Sequence, residues 1–335
     1  MKTNLIVVVI IFIAFSFWGC IAKRTYDYKV TVVPQTYNSV TAPGDMNKAA
    51  EVINKRLNYF LSIPQNRIKL EVTGNQISLT VTKIDTSSIN KIKALITGYH
   101  KLEFWETYEN KEVIDYLTQA NSLPGKSNVI NEVGDSAGKE FNRQNPLFGF
   151  LIPRVTANGQ PLPSCLIGLA ALKDTTKINS YLKMSDVKAL FPGDLRFFWS
   201  HNPYKYDKTK SLYELHAIKV TTGNKQAPLD GSVIISAKTA TGSTYAEMII
   251  DLKMDSGGAR TWAGITRANI NRCIAVVYDG HVISYPRVMN EISGGNTEIT
   301  GDFTIEEANE IVNILKSGEL PYELNIVEEQ IKKEE

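Results

Sequence analysis

The sequence has few of the residues that build metal sites and disulfide frameworks. Its 335 residues include three cysteines and four histidines. The cysteines are far apart and form no C-x-x-C pair, and no histidine lies at metal-ligand spacing from a cysteine or another histidine. We therefore predict no metal, no cofactor and no disulfide framework, and we expect Cys165 and Cys273 to be small buried apolar residues. The seven residues are Cys20, Cys165, Cys273, His100, His201, His216 and His281.

An excess of charge of either sign is also absent. Lysine and arginine total 37, aspartate and glutamate total 35, and the net charge is +2. Nucleic-acid-binding proteins usually carry a concentrated basic excess, so we predict no nucleic-acid partner. Hydrophobic residues make up 43% of the chain and charged residues 21%, a balance typical of a folded chain rather than a disordered one.

A long hydrophobic run stands at the N-terminus. Residues 5–22 carry no charge, and Lys23 and Arg24 close the run. About 20 apolar residues span a bilayer, so residues 1–23 are predicted to be a membrane anchor or an export signal. Gly19-Cys20 resembles a lipoprotein cleavage site, which makes Cys20 a candidate for lipidation. An uncleaved anchor helix and a simply cleaved secretory signal stay open as alternatives, as does the choice between inner and outer membrane.

The rest of the chain alternates between strand and helix patterns. Residues 24–108 have the pattern of strand, helix, hairpin, helix and strand, and residues 245–329 repeat this order. Such an order is typical of the ferredoxin-like arrangement. We therefore predict an α+β fold with a duplicated ferredoxin-like (βαββαβ) base, formed by both ends of the chain. Residues 109–244 differ in pattern and are predicted to be an inserted α+β head domain, and residues 330–335 are predicted to be a charged tail.

A tight hairpin is predicted at Asp279-Gly280, because this dipeptide favours a two-residue type I′ turn. The neighbouring His281 and Ser284 have the residue types of a base and a nucleophile. Positions three apart on a strand face opposite sides, so the pair is poorly arranged for catalysis. We assign Asp279 and Gly280 a structural role and predict no catalytic residues.

The glycine-containing stretch before the last predicted helix is compatible with a phosphate-binding loop or with a structural corner. A phosphate cradle places glycines at a helix N-terminus directly after a strand, whereas residues 296–302 separate Gly294 and Gly295 from the helix. Thr304 with Glu307 three residues on predicts a capping box, and Gly301 is expected to position the helix start. We assign all of these residues to turns and caps.

Five aromatic residues are close together in the stretch DLRFFWSHNPYKYD, residues 194–207. Aromatic side chains with polar tips favour a peptide-binding surface, and the same residues also fill cores and hairpin pairs. We keep both interpretations for the five candidate polypeptide-binding residues, which are Phe197, Phe198, Trp199, Tyr204 and Tyr206.

The C-terminal part of the chain carries a dense set of motifs. Residues 257–329 contain G-A-R-T-W-A, the D-G hairpin followed by S-Y-P, the I-S-G-G loop, I-T-G-D-F-T-I-E-E-A, L-K-S-G-E-L-P and I-V-E-E. This combination resembles the first large extracytoplasmic (periplasmic) domain of SecD, and of fused SecDF, the bacterial protein-export membrane proteins. The resemblance extends over residues 45–330, in particular to fused forms of Bacteroidetes-like bacteria.

The resemblance implies a function in protein export. In that family the domain faces the periplasm and contacts polypeptide that emerges from the translocon, so the implied partners are exported polypeptides, the Sec translocase (SecYEG, SecDF) and the membrane that holds the anchor. In SecD, transmembrane helices that support proton-driven motion follow the I-V-E-E strand, whereas this sequence ends at Glu335. We expect a stand-alone, non-enzymatic accessory of protein translocation without proton coupling of its own.

Two other classes of function stay open. One is a membrane-tethered envelope binding or scaffold lipoprotein that reuses the SecD domain outside export. The other is a hydrolase, which has the least support, because it requires an acid–histidine constellation that the sequence spacing does not indicate.

Overall fold

The protein is described by a computed structural model that covers residues 24–35, 44–98, 100–123, 136–242 and 248–333. Within these ranges the helices are α1 (Asp45–Leu61), α2 (Thr86–Thr97), α3 (Asn110–Asn121), α4 (Ser136–Gln144), α5 (Leu172–Leu182), α6 (Ser185–Lys188), α7 (Ser256–Ala268) and α8 (Ile305–Ser317). The strands are β1 (Tyr26–Pro34), β2 (Ile68–Thr73), β3 (Gln76–Ile84), β4 (Leu102–Thr107), β5 (Ile152–Pro153), β6 (Leu166–Ala171), β7 (Leu195–Trp199), β8 (Leu212–Lys219), β9 (Leu229–Asp230), β10 (Ile234–Thr241), β11 (Met248–Met254), β12 (Ile274–Tyr278), β13 (His281–Ser284), β14 (Asn296–Thr300) and β15 (Leu324–Lys333). The mixed α and β composition with several antiparallel sheets confirms the predicted α+β class.

A four-stranded antiparallel sheet in the order β15-β1-β3-β2 holds the first core. Val30 of β1 and Leu79 of β3 are buried in this core with Ile53 of α1 and Ile92 of α2. β15 pairs along the free edge of β1 from Tyr26 to Pro34. One β-α-β-β-α-β unit is thus formed, and its last strand comes from the C-terminal end of the described chain.

The strand that was predicted to complete this unit, β4, lies in another sheet. It pairs with β12 on one edge and with β8 and β9 on the other. Both of its faces are buried, since Phe104 packs in the core that contains α7 and α8 while Trp105 packs with Val277 in a separate cluster. Such a strand buries more apolar area inside a covered sheet than at an exposed edge. The edge position is instead taken by β15, whose Val327 and Ile331 are exposed.

The predicted duplication of the ferredoxin-like unit is wrong. The strands expected to form the second copy belong to three different sheets. β11 lies between β10 and β14, the β12–β13 hairpin joins β4, and β15 completes the first sheet. Local sequence periodicity predicts that a segment is a strand, but it does not specify the partner of that strand.

The largest sheet of the described residues runs across the predicted head boundaries at residues 109 and 244. Its order is β13-β12-β4-β8-β6-β5, and β7 pairs with β8 as well. A parallel bridge between Ser200, just after β7, and Val282 of β13 brings β7 against the hairpin. The strands β13, β12, β4, β8 and β7 therefore curl around a small core that contains Trp105, Phe198 and Val282.

The predicted head segment has its own apolar core. Val113 and Leu117 of α3 pack there with Ile178 of α5 and with residues of β6 and β8. The hydroxyl of Tyr181 donates a hydrogen bond to the carbonyl oxygen of Ala120 at 2.6 Å, which ties α5 to α3. This core supports one side of the site described next.

Candidate functional site

An open cleft of about 570 Å³ lies where the head segment meets the β12–β13 hairpin. We call it the aromatic cleft. Residues of α5, of the end of β7 and of β8 line it together with the hairpin, with His100 two positions before β4 and with one residue of α8. The full set is His100, Leu172, Thr175, Asn179, Trp199, Ser200, His201, Tyr213, Tyr278, Asp279, His281 and Glu310.

Trp199, Leu172 and Tyr213 supply the apolar surface of the head segment in this cleft. Trp199 ends β7 and is half-buried, and its indole Nε1–H donates a hydrogen bond to Oδ1 of Asn179 in α5 at 2.9 Å. Leu172 begins α5 and is 60% exposed. The indole is thus held in one orientation, while the leucine leaves apolar area free for contact with a ligand.

On the hairpin side, Asp279 joins the residues before β4 to the turn. Its Oδ2 lies 3.0 Å from Nδ1 of His100, and its Oδ1 accepts a hydrogen bond from the Lys101 amide at 2.9 Å. The Tyr278 hydroxyl lies 3.2 Å from the same His100 nitrogen. Burial opposes ionisation of Asp279, but the hydrogen bonds from His100 and Lys101 outweigh it and hold the pKa of this carboxyl below its ordinary value. The carboxylate is therefore a fixed negative charge at the edge of the cleft.

Two further histidines face each other at the junction of β7 and β13. The rings of His201 and His281 are nearly perpendicular, with centroids 6.2 Å apart. The amide of His201 donates to the Val282 carbonyl at 2.8 Å, beside the bridge made by Ser200. Together with Asp279 and Glu310, these rings give the cleft an aromatic and acidic lining, which suits apolar or cationic side chains.

A second, more polar cleft of about 450 Å³ shares Ser200 with the aromatic cleft. Several of its polar groups bond to one another: the Tyr285 hydroxyl donates to Oε1 of Glu214 at 2.8 Å, and Nδ2 of Asn202 donates to the Asp302 carbonyl at 3.1 Å. Burial and the neighbouring Glu214 raise the pKa of Tyr285. Much of this polar surface is therefore already satisfied within the protein.

The structure separates the five aromatic candidates of the sequence. Consecutive residues of β7 face opposite sides, so Phe197 packs against Phe191 with ring centroids 5.2 Å apart, whereas Phe198 packs against Trp105 at 6.2 Å. Both phenylalanines belong to apolar clusters. Trp199 lines the aromatic cleft.

Tyr204 and Tyr206 lie in the loop after β7, outside the set that lines the aromatic cleft. Their ring centroids are 5.4 Å apart, and the Arg154 guanidinium carbon lies 5.5 Å from the Tyr204 ring centroid. Tyr206 is 71% exposed. The five candidates therefore form no single continuous surface.

The hairpin and the glycine loop contain the backbone conformations that favour glycine. Asp279 and Gly280 have φ angles of 48° and 77°, both positive as a type I′ turn requires. Gly295 has a φ of 67°, and a Cβ at this position would lie 2.7 Å from the Cβ of Ala259 in α7. Gly294 has open space around it and no positive φ.

A close contact between Gly301 and Phe303 and a capping box at Thr304 and Glu307 form the start of α8. A Cβ on Gly301 would lie 2.6 Å from the ring of Phe303. The Glu307 amide donates to Oγ1 of Thr304 at 3.1 Å, and the Thr304 amide donates to Oε2 of Glu307 at 2.8 Å. These contacts fix the connection between the end of β14 and the first turn of α8.

The histidine and serine weighed as a catalytic pair have separate partners. Nδ1 of His281 lies 3.0 Å from the Asp279 carbonyl oxygen, and Ser284 Oγ donates to the Thr300 carbonyl. Within the described ranges, histidine, cysteine, aspartate and glutamate form no group of three or more that is arranged to hold a metal ion.

The lipidation candidate Cys20 and the predicted anchor, residues 1–23, lie outside the described residues. Of the helices that the structure describes, none is both long and apolar enough to cross a membrane.

Sequence reasoning missed most of the aromatic cleft. Leu172, Tyr213, His100 and Glu310 come from separate elements and belong to no sequence motif. Two sequence features do point to residues of the cleft, namely the aromatic run that ends β7 and the Asp-Gly turn. Only the pairing of the strands places these two features beside the other residues of the cleft.

A family model described as the P1 head subdomain of SecDF matches residues 210–322. This range begins within the predicted head and continues through most of the predicted C-terminal base half. It includes β8, the β12–β13 hairpin and α8, all of which contribute residues to the aromatic cleft.

Known SecD proteins are similar to a large part of the chain. The protein translocase subunit SecD of Rhodothermus marinus is 28% identical over 304 residues, which cover 85% of this chain and 46% of that protein. The SecD subunit of Leptotrichia buccalis is 42% identical over 100 residues, which cover 30% of this chain and 24% of that protein. The chain therefore spans less than half the length of these two relatives.

A solved structure shares the fold. A crystal structure of SecDF in a super-membrane-facing form aligns with 92% of this chain and 30% of its own chain, with a TM-score of 0.52 and 18% sequence identity. The family model and the SecD relatives support a relationship between this chain and the periplasmic domain of SecD, and the solved structure shows that the fold is shared.

Proposed function

We propose that this protein is a membrane-tethered accessory of protein export that binds unfolded polypeptide on the periplasmic side of the membrane. The proposal rests on its relationship to proteins named protein translocase subunits. The expected partners are exported polypeptides and the Sec translocase. One observation carries the polypeptide-binding part, namely the aromatic cleft between the head segment and the hairpin.

The size and lining of the cleft suit segments of an unfolded chain. Its volume of about 570 Å³ lies within the range of roughly 300–1,000 Å³ that is usual for ligand pockets. An unfolded polypeptide exposes apolar side chains that a folded protein hides. Leu172 and Trp199 offer such side chains apolar contact, and Asp279 with Glu310 would attract lysine or arginine.

The two sides of the cleft are supported by different cores. α5 packs in the core of the head segment through Ile178, whereas α8 packs in another core through Ile311 and Val312. A polypeptide in the cleft would therefore contact residues that are supported by both cores.

A binding experiment with a matched control tests the cleft. Leu172 and Ile235 are both 60% exposed, but only Leu172 lines the aromatic cleft. A fluorescent, unstructured synthetic peptide rich in leucine, phenylalanine and lysine is titrated with the wild type, Leu172→Ser and Ile235→Ser. We expect Leu172→Ser to weaken binding by about fivefold to tenfold, since an apolar side-chain contact is lost. Ile235→Ser should bind like the wild type, and equal weakening by both variants would contradict the assignment.

Photo-crosslinking in exporting cells tests the biological role. A photoreactive residue is placed at position 172 or, as the control, at position 235. Crosslinks to exported polypeptides or to translocase subunits from position 172, and not from position 235, would support the export function. Adducts from position 172 only to mature, folded envelope proteins would instead favour the envelope scaffold.

A further inference from the structure

Two cysteines that are 108 positions apart in the sequence meet inside the fold. Cys165 directly precedes β6, and Cys273 directly precedes β12. Both are buried, with 0% and 3% of their surface exposed. Each thiol shifts the pKa of the other, upwards for Cys165 and downwards for Cys273. The sequence predicted only two inert apolar residues here.

The end of β4 is connected to both cysteine backbones by hydrogen bonds. Oγ1 of Thr107 donates to the Cys273 carbonyl at 2.7 Å. On the other side, the Tyr108 amide donates to the Ala217 carbonyl at 2.9 Å, and the Ala217 amide donates to the Cys165 carbonyl at 3.4 Å. β4 thus contacts the Cys273 backbone directly and reaches Cys165 through Ala217 of β8.

Arg287 clamps the segments that lead into the two cysteines. Its guanidinium donates to the carbonyl of Pro163 at 3.2 Å and to the carbonyl of Asn271. These residues stand two positions before Cys165 and Cys273. Nη2 of the same guanidinium lies 3.3 Å from Oε2 of Glu109. Arg287 therefore holds the backbone segments that lead to the two buried thiols close to each other.

We propose that Cys165 and Cys273 are a redox-active pair that forms a reversible intramolecular disulfide between the head segment and β12. The oxidant is a disulfide, carried by a small molecule or by a thiol–disulfide oxidoreductase. The site thus takes a thiol–disulfide exchange partner as its substrate class. Such pairs persist as disulfides in oxidising compartments, among which is the bacterial periplasm.

The environment assigns different roles to the two sulfurs. Burial and the contact with Cys273 raise the pKa of the Cys165 thiol, whereas the hydrogen bond from Cys165 lowers the pKa of Cys273. In the closed fold Cys273 is therefore the more easily ionised thiol, and we assign it as the attacking sulfur when local opening exposes the pair. Nδ1 of His216 lies 3.7 Å from the Cys165 sulfur, a position from which it can take the second proton.

The exchange balances in two steps. The Cys273 thiolate attacks one sulfur of the oxidant, which forms a mixed disulfide and releases the other half as a thiolate that takes up a proton. Cys165 then loses its proton and attacks the Cys273 sulfur, which forms the intramolecular bond and releases the second half as a thiol. In total, two protein thiols are oxidised, and one disulfide of the oxidant is reduced to two thiols. Because both sulfurs are buried, the exchange takes place during folding or local opening.

The test uses the full chain with Cys20→Ser, which leaves only the two cysteines of the pair. The protein is unfolded and refolded in glutathione buffers of increasing oxidised fraction, quenched with acid, denatured and treated with a thiol alkylator. We expect a monomer that is lighter by two hydrogen atoms and unreactive towards the alkylator, and a peptide map that joins residues 165 and 273. The oxidised form should unfold at a Tm roughly 5–10 °C higher than the reduced form, since the bond closes a long loop.

The reduced Cys20→Ser protein is the control for its oxidised form, because dithiothreitol should break the disulfide and return the Tm to the lower value. Two alkylatable thiols at every glutathione ratio that leaves the protein folded would overturn the proposal, as would disulfides that form only between molecules. Cys165→Ser and Cys273→Ser should each abolish the monomeric oxidised form. This outcome is independent of peptide binding in the aromatic cleft.

Discussion

The guanidinium of Arg56 donates a hydrogen bond to the carbonyl oxygen of Gly98 at 2.6 Å. It also donates to the carbonyl of Leu95 at 2.9 Å, and the side chain is fully buried between α1 and the end of α2. Burial lowers the pKa of Arg56 to about 10, against the opposing effect of Tyr278 and other acidic groups, so the group stays charged at neutral pH. One buried cation thus satisfies the last carbonyls of α2, where the helix dipole favours positive charge.

Replacing Arg56 by methionine should destabilise the protein by about 2–4 kcal/mol, because buried carbonyls lose their donors while the aliphatic volume is kept. Urea denaturation measures the change in the free energy of unfolding. Arg67 is exposed, so Arg67→Met is the matched control and should change stability by less than about 0.5 kcal/mol. Equal stability of the two variants would show that the Arg56 contacts contribute nothing.

Two adjacent glycines should respond differently to the same substitution. Gly295 has a φ of 67° and would place a Cβ 2.7 Å from that of Ala259, whereas Gly294 has neither constraint. Gly295→Ala is expected to lower the free energy of unfolding by about 1–3 kcal/mol through backbone strain and overpacking. Gly294→Ala should be neutral within about 0.5 kcal/mol. Thermal and urea unfolding of both variants test this, and a loss of the same size in both would contradict it.

The carboxyl of Glu319 should make the protein less stable as the pH rises. Burial, with the nearby charge of Asp230, raises its pKa from 4.5 to about 7. The folded state therefore keeps the proton to a higher pH than the unfolded chain does, and stability is lost between about pH 4.5 and about pH 7. Glu319→Gln removes this dependence. The free energy of unfolding of the variant, relative to that of the wild type, should rise by on the order of 2–3 kcal/mol between pH 4.5 and pH 8. A difference between the two proteins that does not change with pH would refute the assignment.

Asp279 should act in the opposite direction. Its hydrogen bonds with His100 and Lys101 hold its pKa below the ordinary value, so its contribution to stability is present at neutral pH and is lost as the pH falls through the lowered pKa. Asp279→Asn keeps a residue that tolerates the positive φ of the turn but cannot ionise. The stability advantage of the wild type over this variant should shrink as the pH falls below the ordinary aspartate pKa of about 3.9. Urea denaturation of both proteins along this pH series measures the difference in their free energies of unfolding. A difference that stays constant would contradict the expectation.

Much of the local structure was predictable from neighbouring residues. Asp279-Gly280 forms the turn between β12 and β13, and Thr304 with Glu307 caps α8. Such features depend on residues within a few positions of each other. The α+β class was predictable for the same reason, because the period of the apolar residues distinguishes helices from strands.

The candidate site was far less predictable. Of the five aromatic residues chosen from the sequence, Trp199 lines the aromatic cleft, while Phe197 and Phe198 pack in apolar clusters on opposite sides of β7. The sequence shows that such side chains alternate, but not that both faces of β7 are covered. The face of Phe198 is covered by Trp105 of β4, which is distant in the sequence, and the face of Phe197 is covered by Phe191.

By itself, the sequence determined local features such as the Asp279-Gly280 turn and the Thr304–Glu307 cap, since each follows from the propensity and spacing of adjacent residues. Only the tertiary structure decided that β15 pairs with β1, that β4 joins β12, and that Arg287 bridges the segments leading to Cys165 and Cys273. The physical reason is that each strand pairs where it buries the most apolar area, and the surfaces that compete for it come from distant parts of the sequence. β4, buried on both faces, gains most in a covered sheet, and β15, exposed on much of its length, takes the open edge.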